Sequence, residues 1–161
     1  MLHVTAPDFG IDIRLGMAHT YVCNFVHCVF STKDRIALIR DPKRLWSYVG
    51  GLSRAKHIPL LAAGGTNNHL HLLISLPSTL NIAEAMRVVK GSTSHWMNDN
   101  FGAFGWQEGY GAFSVSESQR GRVIKYIDGQ EEHHKRWSFE EEFRSLLRKY
   151  GVAYDERYVL G

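Results

Sequence analysis

The chain has few cysteines and no long apolar run. Two of its 161 residues are cysteine, Cys23 and Cys28, and they lie five residues apart in one apolar segment. On a single strand they would point to opposite faces, so we expect no disulfide between them and a reducing, cytoplasmic environment. No apolar run approaches the roughly 20 residues of a membrane span, and the amino terminus lacks a signal-peptide core, so we expect no membrane partner.

Positive charge is in only slight excess. The formal net charge is +3, with 22% charged and 44% hydrophobic residues, which is ordinary for a globular protein. The basic balance favours a polyanionic partner without requiring one. At this length we expect one domain over residues 19–161. Residues 1–18 show no clear hydrophobic period, and we expect them to form a loosely ordered arm.

The hydrophobic pattern predicts alternating strands and helices. Strands are predicted near residues 20–30, 58–63, 67–76 and 112–116. Helix starts are predicted at Asp41-Pro42, Asn81 with Glu84, Ser116 with Gln119, and Ser138 with Glu141. The order β-α-β-β-α-β, followed by two helices, predicts an α+β fold of the ferredoxin-like (split βαβ) type. Its antiparallel sheet would carry helices on one face, with the first and third strands central, and further C-terminal helices would follow.

Two histidines separated by one leucine lie in the third predicted strand, in the sequence His69-Leu70-His71. Because side chains alternate along a strand, both imidazoles point to one face, with their roots roughly 6.6 Å apart. Their ring nitrogens can therefore converge on one metal ion. Two imidazoles are too few for a closed structural zinc site, and no cysteine pair completes one, so an open catalytic site fits better. The alternative is that both histidines lie on a solvated sheet face.

A tyrosine and a glutamine, Tyr126 and Gln130, are four residues apart in a predicted helix. This spacing puts the phenol and the amide on one helix face. Taken alone, a tyrosine with apolar neighbours is usually a packed side chain, and a glutamine on a helix is usually solvated. Together with the two imidazoles, they make a plausible metal-assisted phosphoryl-transfer site.

This combination resembles the HUH nucleases, whose motif is histidine-hydrophobe-histidine. The segment Tyr126-Ile-Asp-Gly-Gln130 matches the Tyr-x-x-x-Gln helix of their single-tyrosine transposases, the insertion-sequence 200/605 type. Residues 29–33, 106–107, 110–116, 130–134 and 138–139 also resemble this family, so the likeness spans residues 19–151. Conjugative relaxases differ because their tyrosine precedes the histidines. Rolling-circle initiators differ because a lysine usually stands where this chain has Gln130.

The resemblance implies a DNA transposase. His69, His71 and Gln130 would bind one divalent cation, Mg²⁺ or Mn²⁺, that polarises a phosphodiester. Tyr126 would attack single-stranded DNA, leaving a 5′-phosphotyrosine link and a free 3′ hydroxyl, and attack by another 3′ hydroxyl would complete strand transfer. The covalent link conserves the bond energy, so no nucleotide cofactor is expected. The family further implies recognition of hairpins at insertion-sequence ends and a homodimer, in which the tyrosine helix can serve the partner's histidines.

Basic residues supply the candidate DNA contacts, although each is by default an ordinary surface charge. The candidates are Lys33, Arg35, Arg87, Lys90, Arg120, Arg122 and Lys125. Exposed aromatics such as Phe104 or Trp106 could stack on unpaired bases, or they could equally fill core.

The residues leave two other classes open. One is a non-catalytic nucleic-acid-binding module on the same topology, such as an RNA-recognition domain. Such domains read bases through aromatics on the sheet face, whereas this chain places His69 and His71 there and lacks the basic-aromatic motif. The other is a decayed or domesticated transposase that binds hairpin DNA without moving it. The intact set of histidines, tyrosine and glutamine argues against that loss of chemistry.

Overall fold

Strands and helices follow one another in the predicted order. The computed structural model describes residues 21–160, and the predicted arm at residues 1–18 lies outside this range. The strands are β1 (Phe25–Ser31), β2 (Leu60–Gly65), β3 (His69–Ser75) and β4 (Gly111–Val115). The helices are α1 (Pro42–Ala55), α2 (Ile82–Phe101), α3 (Glu117–Asp128), α4 (Gln130–His133) and α5 (Phe139–Lys149). A 3₁₀ turn, Lys33–Arg35, follows β1.

The four strands form one antiparallel sheet with the order β2-β3-β1-β4. The first and third strands are therefore central, as the ferredoxin-like topology requires, and the predicted α+β fold is confirmed. In the register of β1 and β3, Val29 lies opposite His71 and Ser31 lies opposite His69. This pairing holds the two histidines on a strand that is flanked on both sides.

Helices α1 and α2 form a first helical layer that covers one face of the sheet. Its start signals act as predicted, because the side chains of Asp41 and Asn81 accept backbone hydrogen bonds from the first turns of α1 and α2. The core between this layer and the sheet includes Val26, Cys28, Phe30, Leu45, Val49, Leu70, Leu72, Ile74, Met86 and Val89. Phe104 and Trp106 pack against this core, and Trp106 donates a hydrogen bond to Thr93, so both aromatics serve packing.

The C-terminal helices cover the opposite face, which is the face of the histidines. Two separate apolar cores lie on this side of the sheet. The first contains Phe25, Leu73, Val115 and Ile127. The second contains Val29, Phe113, Phe139, Leu146 and Leu147. All seven residues of β1 are consequently buried, which explains why this strand is apolar on both faces. Helix α5 begins with the predicted capping box between Ser138 and Glu141.

The predicted tyrosine helix is divided at Gly129. Helix α3 ends at Asp128 and α4 begins at Gln130, so Tyr126 and Gln130 lie on successive helices. Helix α3 lies very close to β2, because a Cβ built on Gly64 would be 2.3 Å from the carbonyl oxygen of Ile127. A glycine at this strand position therefore sets how near the helix that carries Tyr126 approaches the sheet.

Both cysteines of the chain lie within residues 21–160. Cys23 is exposed and precedes β1, Cys28 is buried in β1, and both are free thiols. In this part of the chain, we find no helix with the length and apolar character needed to span a bilayer.

Candidate active site

The two histidines of β3 are fully buried and turn toward the C-terminal helices. Their ring centroids are 5.1 Å apart. The Nδ1 atom of each histidine forms a hydrogen bond with a neighbouring side chain. Nδ1 of His69 lies 2.8 Å from Asn68 Oδ1, and Nδ1 of His71 lies 2.9 Å from Nε2 of His27. These contacts fix the ring orientations and leave both Nε2 atoms facing the space beneath α4 and α5.

A buried carboxylate, Glu142 of α5, occupies the centre of that space. Its Oε2 atom accepts hydrogen bonds from Nε2 of His71 at 3.2 Å and from Nε2 of His134 at 2.9 Å. Nε2 of His69 is 4.0 Å from the same oxygen. A single carboxylate oxygen thus lies near three imidazoles.

The other oxygen of Glu142 receives the tyrosine and the glutamine. The Tyr126 hydroxyl and the Gln130 side-chain amide both donate to Oε1, the latter at 3.0 Å. The Gln130 carbonyl oxygen lies 3.3 Å from Nε2 of His69. Tyr126 is half-buried, with its ring edge-on to that of His71. The structure therefore brings together all four side chains that the sequence predicts for the metal and the nucleophile.

The environment sets the protonation states of these groups. Burial lowers the pKa of both His27 and His69 to about 3, with a further contribution from His71, so both are neutral at pH 7. Burial alone would raise the pKa of Glu142, but hydrogen bonds from His134 and His71 outweigh it and hold the pKa well below its usual range. Burial, together with the Glu142 carboxylate, raises the pKa of Tyr126, which therefore remains a neutral phenol in the DNA-free protein.

Burial of neutral histidines predicts acid sensitivity in the metal-free protein. Unfolded chains bind protons on His27 and His69 near pH 6.5, whereas the folded protein binds them near pH 3, so protons favour unfolding between these values. Each histidine should contribute up to about 1.4 kcal/mol per pH unit in this window. His134 has the opposite effect on this acid sensitivity. Burial lowers its pKa, but hydrogen bonding to Glu142 outweighs burial and raises the pKa overall.

Urea denaturation with a chelator present, at pH 7 and pH 5, measures this effect. We expect a lower midpoint at pH 5, and replacement of the exposed His95 with glutamine should leave the difference unchanged. A midpoint independent of pH would contradict the prediction.

The seven basic residues predicted to contact DNA do not share one surface. Arg87 and Lys90 lie on α2, in the opposite helical layer, and the Lys90 ammonium donates to the backbone carbonyls of residues 107, 108 and 109. Beside β1, Lys33 is exposed and Arg35 forms an ion pair with Glu140 at 2.9 Å. The remaining three, Arg120, Arg122 and Lys125, are exposed on α3, the helix that carries Tyr126.

An open depression adjoins the site on the side of His134. Its volume is about 390 Å³, and its lining includes Asn67, Asn68, Lys135 and Trp137. The Trp137 side chain is 46% exposed. An exposed indole beside polar amides and a lysine is a surface on which an unpaired base can stack.

Glu142 and His134 are the site residues that the sequence reasoning missed. A signal for Glu142 was present, since it lies three residues after Phe139 and four before Leu146, on the apolar stripe of its helix. A carboxylate on such a stripe has to be buried. His134 lies four residues after Gln130, in line with the predicted site face, but the adjacent pair His133-His134 is equally typical of a solvated turn.

Comparison with known proteins assigns the chain to a family. A family model described as "Transposase IS200 like" matches residues 20–130, more than half of the chain. The transposases for insertion sequence element IS200 of Salmonella typhimurium and Salmonella typhi are each 27% identical over 131 residues, covering 74% of this chain and 85% of theirs.

Two solved structures share the fold. The crystal structure of a candidate transposase from Deinococcus radiodurans matches with a TM-score of 0.57 at 22% identity, over 72% of this chain and 98% of that chain. A REP-associated tyrosine transposase, solved bound to a REP hairpin, matches with a TM-score of 0.56 at 13% identity, over 89% and 96%. The family match and the IS200 relatives confirm the resemblance noted in the sequence: this chain belongs to the IS200-like family of transposases.

Proposed function

We propose that this transposase cuts and rejoins single-stranded DNA through a 5′-phosphotyrosine intermediate formed on Tyr126. The observation that carries the proposal is the convergence of Tyr126 and Gln130 with the histidine pair around one buried carboxylate. These residues come from β3, α3, α4 and α5, so only the folded chain assembles them. A packed tyrosine or a solvated glutamine would not require such an arrangement.

His69, His71 and Gln130 are the residues that would hold a divalent cation. Two imidazole nitrogens and an amide oxygen would leave positions open, and DNA oxygens and water there would give Mg²⁺ or Mn²⁺ the oxygen ligands that these ions prefer. When bound, such an ion would polarise the phosphodiester and neutralise its developing charge. The pKa of His69 favours binding, because a neutral imidazole loses no proton when it becomes a ligand.

Tyr126 would act as the nucleophile. Its Oη atom forms a bond to phosphorus, the bond from phosphorus to the 3′ oxygen breaks, and that oxygen leaves as a free hydroxyl after taking a proton from solvent. The phenolic proton passes to Glu142, whose Oε1 already accepts the hydrogen bond from Tyr126. Glu142 is thus the proposed acceptor of the phenolic proton.

Single-stranded DNA with hairpin ends is the proposed partner. One structural relative was solved with a REP hairpin, which supports a hairpin ligand for this chain. Arg122 and Lys125 are exposed on the tyrosine helix and can contact phosphates, while Trp137 can stack on an unpaired base. The homodimer that the resemblance implies stays a prediction.

A covalent-adduct assay tests this function. The protein is mixed with single-stranded DNA from both flanks of its gene and with Mg²⁺ or Mn²⁺, then run on a denaturing gel. We expect a DNA-linked protein band that disappears with a chelator or with His69→Ala. Folded protein that binds the DNA without forming any adduct would contradict the proposal and favour the domesticated or binding-module alternative.

A further inference from the structure

Three imidazoles and one carboxylate meet in the site, although only two of these groups belong to the ligand set proposed above. One ligand atom from each of His69, His71, His134 and Glu142 lies within 4.8 Å of all the others. In a tetrahedral site with bonds of about 2.1 Å, neighbouring ligand atoms are roughly 3.4 Å apart. The observed separations from Glu142 Oε2, at 2.9, 3.2 and 4.0 Å, bracket this value.

The three imidazole rings are held in place in the same way. Each Nδ1 atom is hydrogen-bonded to a neighbour: His69 to Asn68 at 2.8 Å, His71 to His27 at 2.9 Å, and His134 to the carbonyl oxygen of Trp137 at 2.8 Å. Each Nε2 atom is then turned toward Glu142. Anchoring one ring nitrogen so that the other faces the ion is how proteins orient metal-binding histidines.

We propose that Glu142 and His134 join His69 and His71 as ligands of a closed, four-coordinate metal site in the DNA-free protein. This inference rests on the proposed function, since it concerns the same metal position beside the histidine pair. Three imidazoles and one carboxylate in a tetrahedral arrangement favour Zn²⁺ or Co²⁺ over Mg²⁺, which requires oxygen-rich octahedral sites.

The coordination of the ion would differ between the DNA-free protein and the DNA-bound protein. The ion has no free position while Glu142 is a ligand, so a DNA phosphate has to take the place of this carboxylate. The other oxygen of Glu142 holds Tyr126 and Gln130, which ties the nucleophile to the same carboxylate. Release of Oε2 from the ion by DNA would therefore open a position on the metal, while Oε1 keeps its contact with Tyr126 and becomes a stronger base for the phenolic proton.

Metal binding to the full chain without DNA tests the proposal. Zn²⁺ affinity is measured by competition with a chromophoric chelator, and the visible spectrum of the Co²⁺ form reports coordination number, since four-coordinate Co²⁺ absorbs far more strongly than six-coordinate Co²⁺. The variants are Glu142→Gln, His134→Gln and His69→Ala. Glu131→Gln is the matched control, because Glu131 is exposed on the neighbouring α4.

We expect one ion per chain and an intense Co²⁺ spectrum in the wild-type protein. Loss of a residue that only orients a metal-binding histidine typically costs 10–100-fold in affinity, so loss of a ligand in Glu142→Gln or His134→Gln should weaken Zn²⁺ binding at least about tenfold and reduce the Co²⁺ absorption. The Glu131→Gln control should match the wild type. Addition of hairpin DNA to the Co²⁺ form of Tyr126→Phe should shift the absorption bands and leave them intense, because a phosphate oxygen replaces a carboxylate oxygen.

Unchanged affinity and spectrum in both Glu142→Gln and His134→Gln would overturn the closed site. The proposed function would stand in that case, provided the Mg²⁺-dependent adduct still forms and is lost in His69→Ala. If the Glu142 variant does not fold, X-ray absorption of the wild-type Zn²⁺ form decides the matter. Three imidazoles in a four-coordinate shell would support the inference, and two imidazoles in a six-coordinate shell would overturn it.

Discussion

Replacing Tyr126 with phenylalanine should abolish the covalent DNA adduct and lower strand cleavage by roughly 10⁶-fold, the loss seen when an enzyme loses its nucleophile. The substitution removes only the hydroxyl that donates to Glu142, while the ring keeps its edge-on contact with His71. Cleavage is measured on end-labelled single-stranded DNA, and binding is measured on a native gel. DNA and metal binding should both be retained.

Tyr158→Phe is the matched control, because Tyr158 is 70% exposed and lies outside the site. It should cleave like the wild-type protein. A phosphotyrosine that still forms in Tyr126→Phe would show that another tyrosine is the nucleophile. Loss of DNA binding along with cleavage would instead assign Tyr126 to substrate binding and contradict the proposed role.

Gly64→Ala should impair both stability and cleavage. Its Cβ would be 2.3 Å from the backbone oxygen of Ile127, so α3 has to move away from β2. Overpacking of this kind typically costs about 1–3 kcal/mol of unfolding free energy. Since Ile127 directly follows Tyr126, the shift also displaces the proposed nucleophile from the histidines. Thermal melting measures the first effect, and the adduct assay measures the second.

Gly121→Ala provides a control on the same helix. A Cβ at Gly121 meets nothing within 4 Å, so alanine there should stabilise α3 by about 0.5–1 kcal/mol through helix propensity and leave cleavage intact. Equal behaviour of the two alanine variants would show that the approach of α3 to β2 does not position the tyrosine.

The sheet was predictable because its signals are local. A strand that is apolar on both faces has to be central, and Asn81 and Ser138 each mark a helix start with a capping side chain. Division of the tyrosine helix at Gly129 was not predicted, since a single glycine inside a helical pattern usually only weakens the helix.

The candidate site was predictable only where its residues share one element or one face. Alternation along β3 places His69 and His71 together, and helical spacing relates Tyr126 to Gln130. Glu142 belongs to a run of three glutamates at the start of α5, where acidic residues are expected because they favour the helix dipole. Its position on the apolar stripe distinguishes Glu142 from Glu140 and Glu141 and predicts its burial, but only the packing of α5 against the sheet shows that it meets the histidines.

During synthesis on the ribosome, β1 is the first strand of the sheet to emerge, yet both of its neighbours come later. Val29 pairs with His71 and with Gly111, so the centre of the sheet cannot be completed until β4 has been made. Helix α3 rests on all four strands, and the helix that carries Glu142 follows it. A growing chain can therefore pair the strand that carries His69 and His71 before it can position Tyr126, whose partner Glu142 is made later with α5.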